Sequence, residues 1–143
     1  MAQQDPLIII VSNRGPYSFE RTEDGEFTHT RGEGGLVTAL SGIMQHYDVM
    51  WVAAALSDDD KAWAKSHDDK PQQINDTLLK LVRTDPDRYS QYYNHIANPL
   101  LWFIHHQLWN MPFKPDVDHI TWKAWREGYT HINRQMAEVV AAE

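Results

Sequence analysis

Apolar runs and helical stripes alternate along the first part of the chain. Residues 7–11 form a continuous aliphatic run, mostly β-branched, which predicts a strand buried on both faces. Apolar residues at helical spacing follow over 36–47, and a second apolar run covers 49–56. Residues 79–82 are a third, weaker strand candidate. Strand, helix and strand in this order predict an α/β fold with a parallel sheet and flanking helices.

Two short segments of alternating character lie between the first strand and the first helix. Residues 17–20 and 27–29 flank the dipeptide Asp24-Gly25, which is typical of hairpin turns. We therefore predict a β-hairpin after strand one. This excursion follows the carboxyl end of a parallel strand, where open α/β sheets bind their ligands.

The remaining pattern is mainly helical. The acidic residues 58–60 are interpreted as a solvated helix start, and Asp85-Pro86 as the N-cap and first position of another helix. Pro99 is expected to begin a further helix. Residues 122–139 carry aromatic and aliphatic side chains at spacings of three and four, which predicts a long helix that buries an aromatic stripe. We expect the next strand of the sheet to lie beyond this sequence.

Composition narrows the classes of function. The 143 residues are 42% hydrophobic, enough for the core of one ordinary domain. A formal net charge of −7 argues against a nucleic-acid partner, because phosphate backbones attract basic surfaces. The chain has no cysteine, and its apolar runs are too short for a signal peptide or a membrane span. We expect a soluble, cytoplasmic protein that binds neither nucleic acid nor membrane.

Two features near the first strand could hold an anion. Arg14 follows the strand in Ser12-Asn13-Arg14, where a guanidinium could bind phosphate, although an arginine taken alone is more commonly an ordinary surface residue. Gly34-Gly35 begins the first helix, where free backbone N–H groups and the helix dipole favour an anion. A glycine pair can also be a simple turn.

Aromatic and histidine residues in the second half suggest further chemistry. Tyr92, Tyr93 and Trp102 offer flat rings with polar edges on which a sugar could stack, or they could simply fill a core. His105 and His106 are adjacent and would point in different directions on a helix, so no metal site is predicted. The sequence has no Walker loop, dinucleotide glycine fingerprint or serine nucleophile motif.

The order of these features resembles the start of the trehalose-6-phosphate synthases. The matching segments are Ile8 to Arg14, Gly34-Gly35-Leu36, Trp51, the pattern Tyr-Tyr-Asn-x-x-x-Asn-x-x-Leu-Trp over Tyr92 to Trp102, and Trp125 to Asn133. Members of this family have two Rossmann-like domains in the arrangement called GT-B. The resemblance implies that residues 1–143 are an incomplete N-terminal, acceptor-side domain and that the C-terminal donor domain is absent.

The resemblance also implies a reaction and a set of site residues. Glucose would pass from UDP-glucose to glucose 6-phosphate with retention, forming trehalose 6-phosphate without a metal or other cofactor. Arg14 matches a phosphate-binding arginine and is the candidate catalytic residue. Gly35, with Gly34 beside it, matches the loop that approaches the donor diphosphate, and Tyr93 and Trp102 match residues that hold the acceptor. Since the donor-binding residues are missing, we expect the isolated chain to be inactive.

One position departs from the family pattern. After Trp51 the family usually has Gly-Trp, whereas this chain has Val52-Ala53-Ala54. Because Ala54 offers no ring, a related GT-B transferase with another phosphorylated acceptor stays open, such as a glucosylglycerol-phosphate synthase or a pseudo-sugar coupling enzyme. A non-catalytic phosphosugar-binding module also stays open, as does a homo-oligomer or an assembly element that docks onto a separately encoded remainder.

Overall fold

The computed structural model describes residues 7–32, 34–44 and 46–143. Residues 1–6, the polar start for which no signal peptide is expected, lie outside the described residues. The chain divides into two compact units, one ending at Arg83 and one spanning Thr84–Glu143. The described strands all belong to the first unit, and the second unit is helical.

The first unit is built on one sheet and one hairpin. Its strands are β1 (Ile8–Ser12), β2 (Tyr17–Arg21), β3 (Phe27–Arg31), β4 (Val49–Ala54), β5 (Gln72–Ile74) and β6 (Thr77–Val82). The sheet has the order β1-β4-β6-β5, while β2 and β3 form a separate antiparallel hairpin. β1, β4 and β6 are parallel, and β5 is antiparallel to β6. The predicted α/β class and the hairpin after strand one are confirmed, whereas β5 was not predicted.

Two helices accompany these strands. α1 (Gly35–Met44) lies between the hairpin and β4 in the chain, and α2 (Asp58–Ser66) follows β4. Phe19 of β2 stacks on Trp63 of α2 with ring centroids 3.9 Å apart, and both side chains are buried. The hairpin is therefore joined to the same hydrophobic core as the sheet.

The first strand is less buried than predicted. Val11 is 47% exposed, and Leu7, which precedes the strand, is 49% exposed. Within the described chain β1 pairs with β4 and stands at the end of the strand order. An edge strand has neighbours on one flank only, so part of its apolar surface stays open. A run of aliphatic residues does not distinguish an edge strand from a central one.

The start of α2 is more structured than the predicted solvated end. The helix start itself is confirmed, and Ser57 and Asp60 form a capping box in which each side chain accepts from the other residue's backbone N–H, at 2.9 and 3.1 Å. Asp60 is buried, contrary to the prediction, because its carboxylate also accepts from the backbone N–H of Phe19 at 2.9 Å. This aspartate thus connects the hairpin to the helix.

The second unit is a set of helices that includes two π-helical segments. Its elements are α3 (Pro86–Ser90), the first π-segment (Gln91–Leu101), α4 (Trp102–His105), α5 (His119–Ala124), the second π-segment (Trp125–Tyr129) and α6 (Thr130–Ala141). The predicted cap of α3 is confirmed, since the Asp85 carboxylate accepts from the backbone N–H of Arg88 at 2.9 Å. None of the described helices has the length and apolar character needed to cross a bilayer.

The prediction that Pro99 begins a new helix is wrong. Pro99 lies inside the first π-segment, which runs without interruption into α4. In an α-helix a proline removes one hydrogen bond and clashes with the carbonyl four residues earlier. A π-segment is wider and its hydrogen bonds span five residues, so it accommodates the ring with less disturbance.

The predicted stripe of the last helical region is confirmed only in part. Ile132 is buried and Tyr129, Met136 and Val139 are half-buried, as predicted. The two tryptophans are not: Trp122 is 53% exposed and Trp125 is 36% exposed, whereas the small residues Ala124 and Gly128 are buried. Small residues at this spacing let two backbones approach closely. The π-segment also adds a residue to its turn, which shifts the face that a regular helical period would bury.

Candidate functional site

A cleft of about 640 Å³ lies in the first unit where the parallel strands end. Arg14 and Gly15 contribute one wall just after β1, and Ala54 and Leu56 contribute another at the end of β4. The hairpin strand β2 adds a third wall. Concave sites at the carboxyl edge of a parallel sheet are where α/β proteins bind ligands, so the structure places Arg14 in the predicted location.

Two arginines follow parallel strands of this sheet. Arg83, directly after β6, binds the Asp69 carboxylate through Nε at 2.6 Å and through Nη2, and this hydrogen-bonded pair lowers the pKa of Asp69. Arg14 is exposed, and its guanidinium has no hydrogen-bond or ion-pair partner among the residues described. Of the two, Arg14 is the one whose charge is available to an anionic ligand.

The backbone around Arg14 is held against β4. The indole Nε1 of Trp51 donates to the Ser12 hydroxyl at 2.7 Å, and that hydroxyl donates to the Arg14 carbonyl at 2.6 Å. A Cβ added at Gly15 would lie 3.2 Å from the Cβ of Ala53. Glycine at this position therefore permits the loop to pass close over the strand.

Carboxylates line the cleft together with the arginine. Glu20 and Asp59 are lining residues, and Asp59 accepts from the backbone N–H of Arg21 at 3.2 Å. Arg21 lines the cleft as well, and its Nε donates to the Gly25 carbonyl at 3.4 Å. A cleft with two arginines and several oxygen acceptors suits a ligand that has an anionic group and hydroxyl donors. A phosphorylated sugar has both.

Gly34 and Gly35 stand at the start of α1, outside the set of residues that line the cleft. A Cβ added at either position would meet no atom within 4 Å, and the positive-φ glycine of the described chain is Gly25. Neither close packing nor backbone conformation therefore requires glycine here. The first turn of α1 carries no acidic residue, and the first N–H groups of any helix have no carbonyl partner within the helix itself.

Tyr93 and Trp102 belong to the second unit, whereas Arg14 and the two glycines belong to the first. Tyr93 is half-buried, and its ring stacks parallel to that of Tyr89 at 6.1 Å between centroids. Trp102 is 51% exposed, with its ring centroid 4.5 Å from that of His106. Trp102 therefore presents a face that a sugar could cover, and Tyr93 is partly committed to an aromatic cluster.

Sequence reasoning missed several residues that shape the cleft. The spacing of Ser57 and Asp60 was a readable signal, because a serine three residues before an acid is typical of a capping box. No local pattern could reveal that Ser12 would meet Trp51 across two strands. In the part of the chain that the structure describes, no three histidine, aspartate or glutamate side chains are grouped to hold a metal ion.

Solved structures share this fold. An alpha,alpha-trehalose-phosphate synthase (UDP-forming) from Burkholderia vietnamiensis matches with a TM-score of 0.55 and 15% identity, over 96% of this chain and 26% of that one. A structure from E. coli bound with UDP-2-fluoro glucose matches with a TM-score of 0.58 and 14% identity, over 93% of this chain and 24% of that one. The class of fold is therefore that of the GT-B glycosyltransferases.

Sequence comparison gives the family. The chain is 35% identical to an alpha,alpha-trehalose-phosphate synthase [UDP-forming] of Yarrowia lipolytica, over 96% of this chain and 27% of the relative. It is 31% identical to a trehalose-6-phosphate synthase of Mycobacterium sp. (strain KMS), over 96% of this chain and 25% of that relative. The profile of glycosyltransferase family 20 matches residues 6–143. The chain belongs to glycosyltransferase family 20, and it spans about a quarter of the length of these relatives.

Proposed function

We propose that this chain is an incomplete N-terminal, acceptor-side domain of a retaining glycosyltransferase, with the C-terminal donor domain outside residues 1–143. The enzyme transfers glucose from a nucleotide sugar such as UDP-glucose to glucose 6-phosphate and forms trehalose 6-phosphate. Family membership and the names of the relatives support the reaction class. The observation that carries the site is the exposed Arg14, which lies in a cleft at the carboxyl edge of the sheet and has no hydrogen-bond or ion-pair partner among the described residues.

In this proposal each candidate residue has a chemical task. Arg14 holds phosphate and stabilises the negative charge that develops on the leaving nucleotide diphosphate. The backbone amides at Gly34 and Gly35 approach the same diphosphate. Tyr93 and Trp102 hold the sugar of the acceptor. The acceptor hydroxyl attacks the anomeric carbon of glucose, the bond to the diphosphate breaks, and a donor phosphate oxygen takes up the acceptor proton.

Arg14→Ala is expected to weaken binding of glucose 6-phosphate by about tenfold or more, because a charged hydrogen-bonding partner of the phosphate is removed. Isothermal titration of the 143-residue chain measures this. Trp102→Ala should also weaken binding, through loss of the stacking face. Arg31→Ala is the matched control, since Arg31 is an exposed arginine of the hairpin that does not line the cleft. Equal affinity in the wild-type and Arg14→Ala chains would contradict the assigned role.

A related transferase with another phosphorylated acceptor is the second candidate. Ala54 favours it, because this alanine lines the cleft where the family usually supplies a tryptophan ring. Titration with other phosphorylated acceptors, glycerol 3-phosphate among them, separates the two candidates. A non-catalytic phosphosugar-binding module would bind the phosphosugar equally well but would remain inactive when joined to a donor domain.

The isolated chain is expected to produce no UDP from UDP-glucose and glucose 6-phosphate, because the residues that would hold the donor nucleotide are outside it. The measurement is UDP release by the pure 143-residue chain, with Arg14→Ala as the control for contaminating activity. UDP release by the wild-type chain that disappears in Arg14→Ala would show that the chain is catalytic alone. Cytoplasmic location, and homo-oligomerisation or docking to a remainder of the enzyme, stay predictions.

A further inference from the structure

We propose that Ser12 is a positioning residue for Arg14, and that it acts by coupling the buried indole of Trp51 to the backbone that carries the guanidinium. The inference rests on the proposed function in one respect, that Arg14 binds a phosphate. The effect of Ser12 on the Arg14 backbone is inferred from two hydrogen bonds in the first unit. It adds two residues, Ser12 and Trp51, that touch no ligand in this proposal but determine where Arg14 lies.

The direction of the two hydrogen bonds is fixed by chemistry. An indole N–H can only donate, so the Ser12 hydroxyl must accept from Trp51 at 2.7 Å. A hydroxyl has a single proton, which then points to the Arg14 carbonyl at 2.6 Å. Trp51 is fully buried, so its N–H has no water to replace Ser12. The serine proton is thus committed to Arg14.

The hydrogen bond from Ser12 to the Arg14 carbonyl matters because Arg14 is followed by Gly15. Gly15 has no side chain, and glycine gives the Arg14–Gly15 peptide more conformational freedom than another residue would. Glycine nevertheless suits this position, because a Cβ would make a tight contact with the Ala53 Cβ at 3.2 Å. The hydrogen bond from Ser12 restricts the one peptide that the glycine leaves free. It therefore fixes the direction in which the Arg14 side chain leaves the loop.

Ser12→Ala should weaken binding of glucose 6-phosphate by about fivefold, the loss expected for one hydrogen bond of ordinary strength. Ser12→Thr keeps the hydroxyl and should restore binding to within about twofold. The deciding comparison is made in an Arg14→Ala background, where Ser12→Ala should cause no further loss because it acts through Arg14. The same loss in both backgrounds would overturn the proposal. Melting curves for every variant separate positioning from unfolding.

A second measurement needs no ligand. In ¹⁵N-labelled chain, the Gly15 amide resonance should shift in Ser12→Ala, and Trp51→Phe should shift it in the same direction because it frees the serine hydroxyl to rotate. Ser12→Thr should leave that resonance near its wild-type position. Unchanged Gly15 resonances in both Ser12→Ala and Trp51→Phe would overturn the positioning role. If the wild-type chain binds no phosphosugar, the proposed function fails, and this measurement still decides the role of Ser12.

Discussion

Gly128→Ala is expected to destabilise the second unit by about 3 kcal/mol, a value at the upper end of the usual cost of overpacking. The added Cβ would lie 2.5 Å from the Cβ of Gln91, 2.6 Å from the backbone nitrogen of Tyr92 and 2.9 Å from the Arg88 carbonyl oxygen. Two of these three atoms are backbone, so relief requires one helical segment to move away from the other. The chain's midpoint of urea denaturation, followed by circular dichroism, measures the effect.

Gly42→Ala is the matched control for this substitution. Gly42 is also inside a helix, in α1, but a Cβ there would meet no atom within 4 Å. Alanine has the higher helix propensity, so Gly42→Ala should stabilise the chain by about 0.5–1 kcal/mol. If Gly128→Ala raised the urea midpoint as Gly42→Ala does, the close approach of the two segments would be disproved. A loss of stability in Gly128→Ala alone supports it.

The elements that could be predicted from the sequence are those with local signals. The hairpin has Asp24-Gly25 at its turn, where Gly25 adopts a φ of +85°, and α3 has an aspartate cap followed by proline. β4 is a continuous apolar run that is buried at every position, and β6 is apolar except at Thr77 and Lys80. In these cases the residues that determine the conformation are neighbours in the chain, so their pattern suffices.

The errors arose where distant residues decide the conformation. The short strand β5 pairs with β6 through only a few residues, and its own sequence, Gln-Gln-Ile, has no clear apolar alternation. The two π-segments change the helical period, so spacings of three and four no longer mark the buried face. Gly128 looks like an ordinary weak point of a helix until the packing partner is known.

The candidate site was predicted in part. Arg14 could be found because topology places residues after a parallel strand at the ligand-binding edge. The sequence could not show which of the two arginines, Arg14 or Arg83, would be paired with a carboxylate. Asp69 binds Arg83 from a turn fourteen residues away in the chain. The ring chemistry of Tyr93 and Trp102 made them candidates for sugar stacking, and the resemblance gave them the role of holding the acceptor. They remain predictions, because their exposure is compatible with sugar binding but does not require it.

Asp60→Ala is expected to lower the free energy of unfolding of the first unit by about 3–4 kcal/mol. The carboxylate accepts from three backbone N–H groups, those of Phe19 at 2.9 Å, Ser57 at 3.1 Å and Leu56 at 3.3 Å. Alanine would leave these donors without their acceptor in a buried or partly buried place, and each unsatisfied donor costs about 1–3 kcal/mol. Water that enters the space would recover part of this cost. The shift of the urea midpoint measures the loss.

Asp58→Ala is the control, because Asp58 lies in the same helical turn with a side chain 99% exposed, and it forms a surface ion pair with Lys61. Its removal should change stability by no more than about 0.5 kcal/mol. Amide exchange at Phe19 tests the mechanism further. If Asp60 joins the hairpin to α2, exchange at Phe19 rises in Asp60→Ala more than exchange within β4 does. A rise at the start of α2 with no comparable rise at Phe19 would instead indicate that Asp60 serves only the helix cap, and the wall of the cleft would not depend on it.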